Sequence, residues 1–303
     1  MIPAGPRTVS CEPDMPPTLA ERARAKINLT LKIIGRRADR YHLLESLIAF
    51  ADVGDEIAFV AGAEAYVTTT GPFAAAIEGD NLAETALRRL AAADPSLTLG
   101  SVAIDKRLPI ASGIGGGSAD AAAVLRAVRE INPIADLDWN ALAASLGADV
   151  PVCLGNRTAL VWGVGEHIEP APGLPKLDVV LVCPAKSAPF GKTRAVFAAL
   201  GAPAAEVTAQ PAPLPALSSP ADLVDYMRSV GNDLRGPAHG LMPASATAEQ
   251  DLIAQDGCLY ATLSGAGPTS YGVFADAKCA VAAQDQLRAM YPEWWIVATT
   301  IGD

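Results

Sequence analysis

The sequence predicts an α+β fold, and three observations carry that expectation. From about residue 259 the chain reads strand, glycine-rich turn, strand through Phe274, helix over about 277–290 and a last strand from Trp294, the β-β-α-β order of an antiparallel sheet covered by helices. Near the other end, Ile27, Leu29, Leu31 and Ile33 alternate with Lys26, Asn28, Thr30 and Lys32, so residues 26–34 have the two-residue period of a half-buried strand. With 303 residues, 50% of them hydrophobic, the chain is long enough for two domains with substantial cores.

The elements between follow from local chemistry. Residues 1–18, with Pro3, Pro6, Pro13, Pro16 and Pro17 and no apolar run of signal-peptide length, read as a disordered N-terminal extension. After the first strand, Gly35 to Glu45 holds three arginines, Tyr41 and His42 and reads as a loop, then a strand or short helix, then a strand to Phe59. Asp80 or Asn81 caps a helix running to about Ala92, and residues 101–105 form a strand. Helices follow over about 118–130 and 139–146, the second ended by Gly147, with strands over 159–168 and 177–183. The Pro/Ala-rich stretch from Ala202 to Pro220 resembles a surface insertion that tolerates change, and helices around 221–229 and 245–255 complete the chain.

Charge and cysteine usage narrow the function. A net charge of −10 with no basic cluster excludes a nucleic-acid partner, and no run of apolar residues is long enough for a membrane span. The five cysteines, Cys11, Cys153, Cys183, Cys258 and Cys279, form no Cys-x-x-Cys pair, so they read as buried thiols of a reducing cytoplasm rather than a zinc site or a disulfide framework. Only three histidines, His42, His167 and His239, are present, which argues against a metal cluster.

Residues 109–122, Pro-Ile-Ala-Ser-Gly-Ile-Gly-Gly-Gly-Ser-Ala-Asp-Ala-Ala, are the most informative stretch. Gly113, Gly115, Gly116 and Gly117 clear side chains from a loop that enters an alanine-rich helix at Ser118. Free amides and the positive end of the helix dipole then face any phosphate that docks there. A dinucleotide fingerprint is excluded because the final glycine and a later acidic residue are missing. Gly191-Lys192-Thr193 ends like a Walker A loop, but Lys186 occupies the required glycine position and Pro189 interrupts the stretch, so it reads as a decoy. An ordinary helix start that uses glycine for close packing remains the alternative for residues 109–122. Three further features qualify as chemical. Lys26 shares a polar strand face with Asn28, where a solvated lysine is the plainer reading. Asp149 lies in the apolar run Ala148–Leu154, where it needs a cation or a capping role. Residues 264–270, Ser-Gly-Ala-Gly-Pro-Thr-Ser, form a second glycine turn that by itself suits any tight corner. Together they suit phosphoryl transfer by positioning and charge neutralisation.

Lys26-Ile-Asn28-Leu, Pro109 to Ala119 and Leu263 to Ser270 resemble, in order, the three motifs of the GHMP kinase superfamily. Within it, Gly35-Arg36-Arg37-x-Asp39-x-Tyr41-His42, Ile104 to Pro109, Leu146 to Val152 and Asn232-Asp233-Leu234 are similar to the members that act on 4-diphosphocytidyl-2-C-methyl-D-erythritol. The resemblance implies a two-domain α+β architecture, an N-terminal nucleotide-binding domain over 19–165 and a C-terminal domain over 166–303, with the site in the cleft between them. It implies ATP-dependent phosphorylation of that substrate's 2-hydroxyl, with Mg²⁺, in a cytoplasmic monomer or homodimer that has no nucleic-acid or membrane partner. Asp149 would accept the hydroxyl proton, and Lys26 would pair with it and neutralise charge at the phosphoryl group. Gly113, Gly115, Gly116, Gly117 and Ser118 would cradle the phosphates, Ser118 as a phosphate or Mg²⁺ contact. Asn81, Leu82, Lys106 and Pro109 would line the nucleotide site. Tyr41 and His42 would flank the cytosine, Phe197 would supply an opposing aromatic face, and Asn28 would place the methylerythritol. Two positions depart from the pattern: Arg40 replaces a glycine, putting the loop geometry in question, and Asp120 replaces an asparagine, adding negative charge near the phosphates. Another GHMP kinase acting on mevalonate, homoserine or a sugar would not need Tyr41 and His42, and a non-catalytic nucleotide-binding relative would not need Asp149.

Overall fold

The structure is a computed structural model that describes residues 17–62, 64–77, 79–184, 191–207 and 210–302. The expected N-terminal extension lies outside the described residues as far as residue 16, and Thr18 already belongs to a strand. The N-terminal half contains β1 (Thr18–Asn28), β2 (Lys32–Arg36), β3 (His42–Ala61), β4 (Tyr66–Thr70), α1 (Leu82–Ala93), β5 (Gly100–Asp105), α2 (Gly116–Ile131), α3 (Trp139–Leu146), α4 (Val150–Gly155), β6 (Ala159–Gly163) and β7 (His167–Pro170). The rest comprises β8 (Leu177–Cys183), α5 (Lys192–Leu200), α6 (Pro220–Val230), α7 (Arg235–Leu241), α8 (Pro243–Ile253), β9 (Cys258–Leu263), β10 (Ser270–Phe274), α9 (Ala277–Met290) and β11 (Trp295–Ile301).

Strand β3 is the spine. It pairs antiparallel with β1, β2, β5 and β6 at successive points along its 20 residues, and Ala51 meets Ile301 of β11. Through that pair the first sheet continues into β11, β8, β10 and β9, all antiparallel. Strand β7 hairpins onto β6 in the first sheet, so this sheet reaches beyond residue 165.

The predicted strand over 26–34 is two strands, and side-chain chemistry explains the break. The Thr30 hydroxyl accepts from the amide of Leu47 at 3.0 Å, while the Ser46 hydroxyl donates to the carbonyl of Thr30 at 2.5 Å, taking the place of a regular ladder. Most of its polar face is not solvated, since Lys26, Asn28 and Thr30 are buried, while Lys32 at the start of β2 is exposed. In the segment after it the expected loop is residues 37–41, and of the two alternatives beyond it the strand is found, since β3 begins at His42 and hairpins onto β2 with Arg36 opposite His42.

Helix α2 rests on the sheet through alanines. Ala119, Ala121, Ala122, Ala123 and Ala127 are buried with Val124, Leu125 and Val128 against Phe50, Phe59 and α1. Small side chains let the helix axis approach the strands, which holds its N-terminus firmly over β1. A second core lies between the sheets, where the buried Tyr271 donates to the carbonyls of Asn28 and Leu29 at 3.2 and 3.3 Å. Among its described residues the Pro/Ala-rich stretch, expected as a surface insertion, is anchored: Leu217 is buried in that core, and Ala204 bridges Arg36. A side chain on Gly35 would come within 2.3 Å of Ala205, so the strap constrains the strand beneath it.

The two glycine loops abut. Gly113 has φ 83°, and a Cβ there would meet the carbonyl oxygen of Gly267 at 2.5 Å. An L side chain is opposed both by its own backbone conformation and by the neighbouring loop. Gly113→Ala is expected to cost at least about 2 kcal/mol of stability, read from chemical denaturation.

Candidate active site

Helix α2 begins at Gly116 with Gly115 as its left-handed N-cap, φ 68°, two residues before the start predicted at Ser118. No side chain caps it, so the first-turn amides face the opening. A Cβ on Gly115 would lie 3.2 Å from the Lys26 Cβ, which explains the glycine: the lysine stem passes there. The Lys26 amide donates to the carbonyl of Ile114 at 2.8 Å, fastening β1 to the loop.

Across 123 positions the chain returns to this point. Helix α4 starts just after Asp149, and the Asp149 Oδ2 accepts from Lys26 Nζ at 3.2 Å. Lys26 also donates to Asn28 Oδ1 at 3.0 Å, and its side chain is 6% exposed against 45% for Asp149. The ammonium is therefore fixed and desolvated while the carboxylate keeps a face open. Asn28 is held in turn: its Nδ2 donates to Ser46 Oγ at 2.8 Å, and its amide donates to Ser264 Oγ at 3.3 Å. Ser264 Oγ donates to the carbonyl of Gly113 at 3.3 Å, so both glycine turns and β1 share one hydrogen-bonded knot.

A cavity of about 460 Å³ opens beside the knot. Asn81, Leu82, Lys106, Pro109, Gly113, Gly115, Gly116, Gly117, Ser118 and Asp149 all line it, with Ile77 and Asp80 at one side. Asn81 also caps α1, accepting from the amide of Ala83 at 2.9 Å. Residues of both halves contribute, because Gly191, Lys192 and Thr193 line it from the start of α5. Sequence reasoning set that tripeptide aside as a failed Walker A loop; what placed it here is the packing of α5, for which the sequence carried no periodic signal.

His42 and Phe197 meet with ring centroids 4.6 Å apart, and Tyr41 beside them is 62% exposed. Tyr41, His42 and Phe197 do not line the cavity; His42 shares a face of β3 with Ser46 of the knot, and Phe197 lies one turn along α5 from Thr193, which does line it. Burial and the charge of Arg36 lower the His42 pKa, which favours the neutral imidazole. Arg40 adopts φ 75°, the conformation a glycine would take without strain. Backbone bonds hold the turn regardless, Arg37 N–H to the Tyr41 carbonyl at 2.8 Å and Arg40 N–H to the Arg37 carbonyl at 3.0 Å.

Lys106, expected to line the nucleotide site, also serves a buried ion cluster. It is buried and donates at 2.5 Å to both Asp55 and Asp120, while Asp55 Oδ1 accepts from the amides of Arg107 and Leu108 at 2.6 and 2.8 Å. The extra charge expected of Asp120 near the phosphates is thus taken up by Lys106, leaving Asp120 Oδ1 buried without a hydrogen bond. Among the described residues no cluster of three or more His, Cys, Asp or Glu is placed to hold a metal, and no helix is long and apolar enough to cross a membrane.

Comparison with known proteins places this geometry. The model of the GHMP kinases N terminal domain matches residues 81–157, and that of the GHMP kinases C terminal matches residues 219–293. A protein from Bradyrhizobium sp. (strain ORS 278) named 4-diphosphocytidyl-2-C-methyl-D-erythritol kinase is 44% identical over 297 residues, covering 93% of this chain and 97% of its own length. One of the same name from Cereibacter sphaeroides is 43% identical over 279 residues, covering 90% and 96%. A crystal structure of 4-(cytidine 5'-diphospho)-2C-methyl-D-erythritol kinase superposes with a TM-score of 0.74 at 30% identity, covering 94% of this chain and 100% of the other. Homoserine kinase from Cytophaga hutchinsonii, 15% identical with a TM-score of 0.66 over 93% of this chain and 94% of its own, shares the fold.

The Asp120 carboxyl makes the buried triad sensitive to pH. Burial raises its pKa to about 7, with Lys106 pulling it down and Asp55 pushing it up. A carboxyl raised above its ordinary value of about 4 contributes most when protonated, and that contribution is lost as pH climbs towards 7. Asp120→Asn should therefore be close to neutral at pH 4 and increasingly stabilising as pH rises to 7, reaching about 1–2 kcal/mol or more at pH 8, measured by thermal unfolding at pH 4 and pH 8.

Proposed function

Since this chain belongs to the GHMP kinase superfamily, we propose that it transfers the γ-phosphoryl group of ATP to the 2-hydroxyl of 4-diphosphocytidyl-2-C-methyl-D-erythritol, a step of isoprenoid precursor synthesis by the non-mevalonate route. The observation that carries this reading is the Lys26–Asp149 pair at 3.2 Å, set where the glycine loop meets α2. The names of the relatives and the aromatic group of Tyr41, His42 and Phe197 support the cytidyl substrate over mevalonate, homoserine or a sugar.

In the reaction the substrate oxygen attacks the γ-phosphorus, the bond to the bridging oxygen breaks, and ADP departs with the electron pair. The Asp149 carboxylate, steadied through Oδ2 by Lys26, takes the hydroxyl proton. Lys26 Nζ has three N–H groups, two of them directed to Asn28 and Asp149, and the third is available to a phosphoryl oxygen. The amides of Gly115 to Ser118 receive the remaining phosphate charge at the helix N-terminus. Such a site works by orientation and preorganised charge, as phosphoryl transfer through a loose transition state requires. Mg²⁺ suits the place, since the Ser118 hydroxyl and the orphaned Asp120 Oδ1 are hard oxygen donors; when bound it would neutralise charge on the β- and γ-phosphates. His42 would hydrogen-bond the polar edge of cytosine, with Tyr41 and Phe197 offering faces for stacking. We assign the expected units of residues 19–165 and 166–303 as the two domains that flank the site, the first extended to Pro170 by the β6–β7 hairpin, and place the enzyme in the cytoplasm as a monomer or homodimer.

Asp149→Asn is expected to lower kcat on the order of 10²–10⁴-fold while the ATP dissociation constant stays within a few-fold, because proton acceptance matters mainly in the transition state. A steady-state ADP-release assay paired with calorimetry reads both, and unimpaired turnover refutes the base assignment. His42→Ala should raise KM for the cytidyl substrate roughly tenfold with KM for ATP unchanged; in the same assay mevalonate, homoserine and galactose should release no ADP. An effect confined to ATP would reverse the pocket assignment.

A further inference from the structure

Lys192 is the first residue of α5, 8% exposed, and lines the cavity next to the glycine loop. Its ammonium donates to the carbonyl of Ala111 at 3.0 Å and to that of Gly267, touching both glycine loops. Among the described residues no carboxylate lies within ion-pair distance of it. The contrast with the neighbouring lysines is direct: Lys26 has Asp149, and Lys106 has both Asp55 and Asp120.

Its position is costly in three ways. A cation in the first turn of a helix opposes the dipole, and a buried ammonium without a counter-ion loses hydration that two carbonyls only partly replace. Burial pushes its pKa down to about 8, Cys183 acting in the opposite direction and the charge of Lys26 adding to the fall. A polyanion in the cavity would offset all three costs at once.

We propose that Lys192 is a phosphate-binding residue of this site, meeting the polyphosphate of the nucleotide from α5 while the α2 amides meet it from the glycine loop. This rests on the ATP-dependent reading above. It makes the ligand a bridge between the two halves of the chain, so that α5, which also carries Phe197, is drawn to the site by the nucleotide's charge.

The test uses the full chain and the variants Lys192→Gln and Lys192→Arg. Glutamine keeps two N–H donors for the carbonyls of Ala111 and Gly267 but removes the charge, so fold and charge are separated; thermal unfolding reads the first. Calorimetric dissociation constants are measured for adenosine, ADP and a non-hydrolysable ATP analogue. Lys192→Gln should leave adenosine within about twofold, weaken ADP less than the ATP analogue, and weaken the analogue about tenfold or more, with Lys192→Arg recovering most of the loss. Equal weakening of all three ligands, or none, overturns the proposal, because a lysine that only ties the loops together is blind to phosphate number. Failure of the unmodified chain to bind the ATP analogue would instead overturn the kinase reading on which the proposal stands.

Discussion

A buried ammonium governs this structure. Lys26 is carried on β1 into the space between two glycine loops, and at 6% side-chain exposure it needs anionic and polar partners within reach. That requirement fixes the start of α4, where Asp149 sits, and the side-chain amide of Asn28. It also sets the composition of the loop: a side chain at Gly115 would press on the lysine stem, and one at Gly113 would strike Gly267. Three segments remote in sequence are therefore small, rigid and mutually dependent at one point. The fold's larger features, the long β3 and the alanine-faced α2, serve to hold that point still.

How much of this was legible in the sequence differs by the kind of signal. Amphipathic period and capping chemistry located α1, β5, α3, α6, α8, α9 and the three C-terminal strands within a few residues, because each has an apolar face and a clear stop. Helix α2 begins earlier than predicted because Gly116 and Gly117 read as loop by propensity, while packing on β1 and β3 overrides it. Helices α4 and α7 were missed for a related reason: α4 has six residues, and α7 holds Gly236 and Pro237. The break after Asn28 depends on Thr30 and Ser46 bonding to backbone, which no periodicity reports.

The site was legible mainly through resemblance. Composition suggested that Lys26 could be an ordinary solvated lysine and that Asp149 could be a turn residue; only their joint occurrence with the glycine loops gave them a shared chemistry. Distance in sequence conceals such a pair, since 123 positions separate its members. Lys192 was passed over for the opposite reason. Tested against the spacing of a Walker A loop, its tripeptide fails, but the proposed contact needs only a desolvated cation near free amides, and that arrangement has no fixed spacing.

The charge distribution shows how a chain of net charge −10 can suit a polyanionic nucleotide. Long-range attraction is unfavourable, so affinity has to come from a short-range, water-poor arrangement in which each charge has its own geometry. In the pair of Lys26 and Asp149 the charges cancel. Asp55 and Asp120 offset Lys106 from beneath α2, and the raised pKa of Asp120 reduces the excess negative charge there at neutral pH. On the proposed reading, the attraction available to phosphate then comes from the N-terminal amides of α2, the third N–H of Lys26 and the ammonium of Lys192. Recognition on that reading would favour a ligand that reaches both glycine loops at once, which a lone phosphate does far less well than a nucleoside triphosphate.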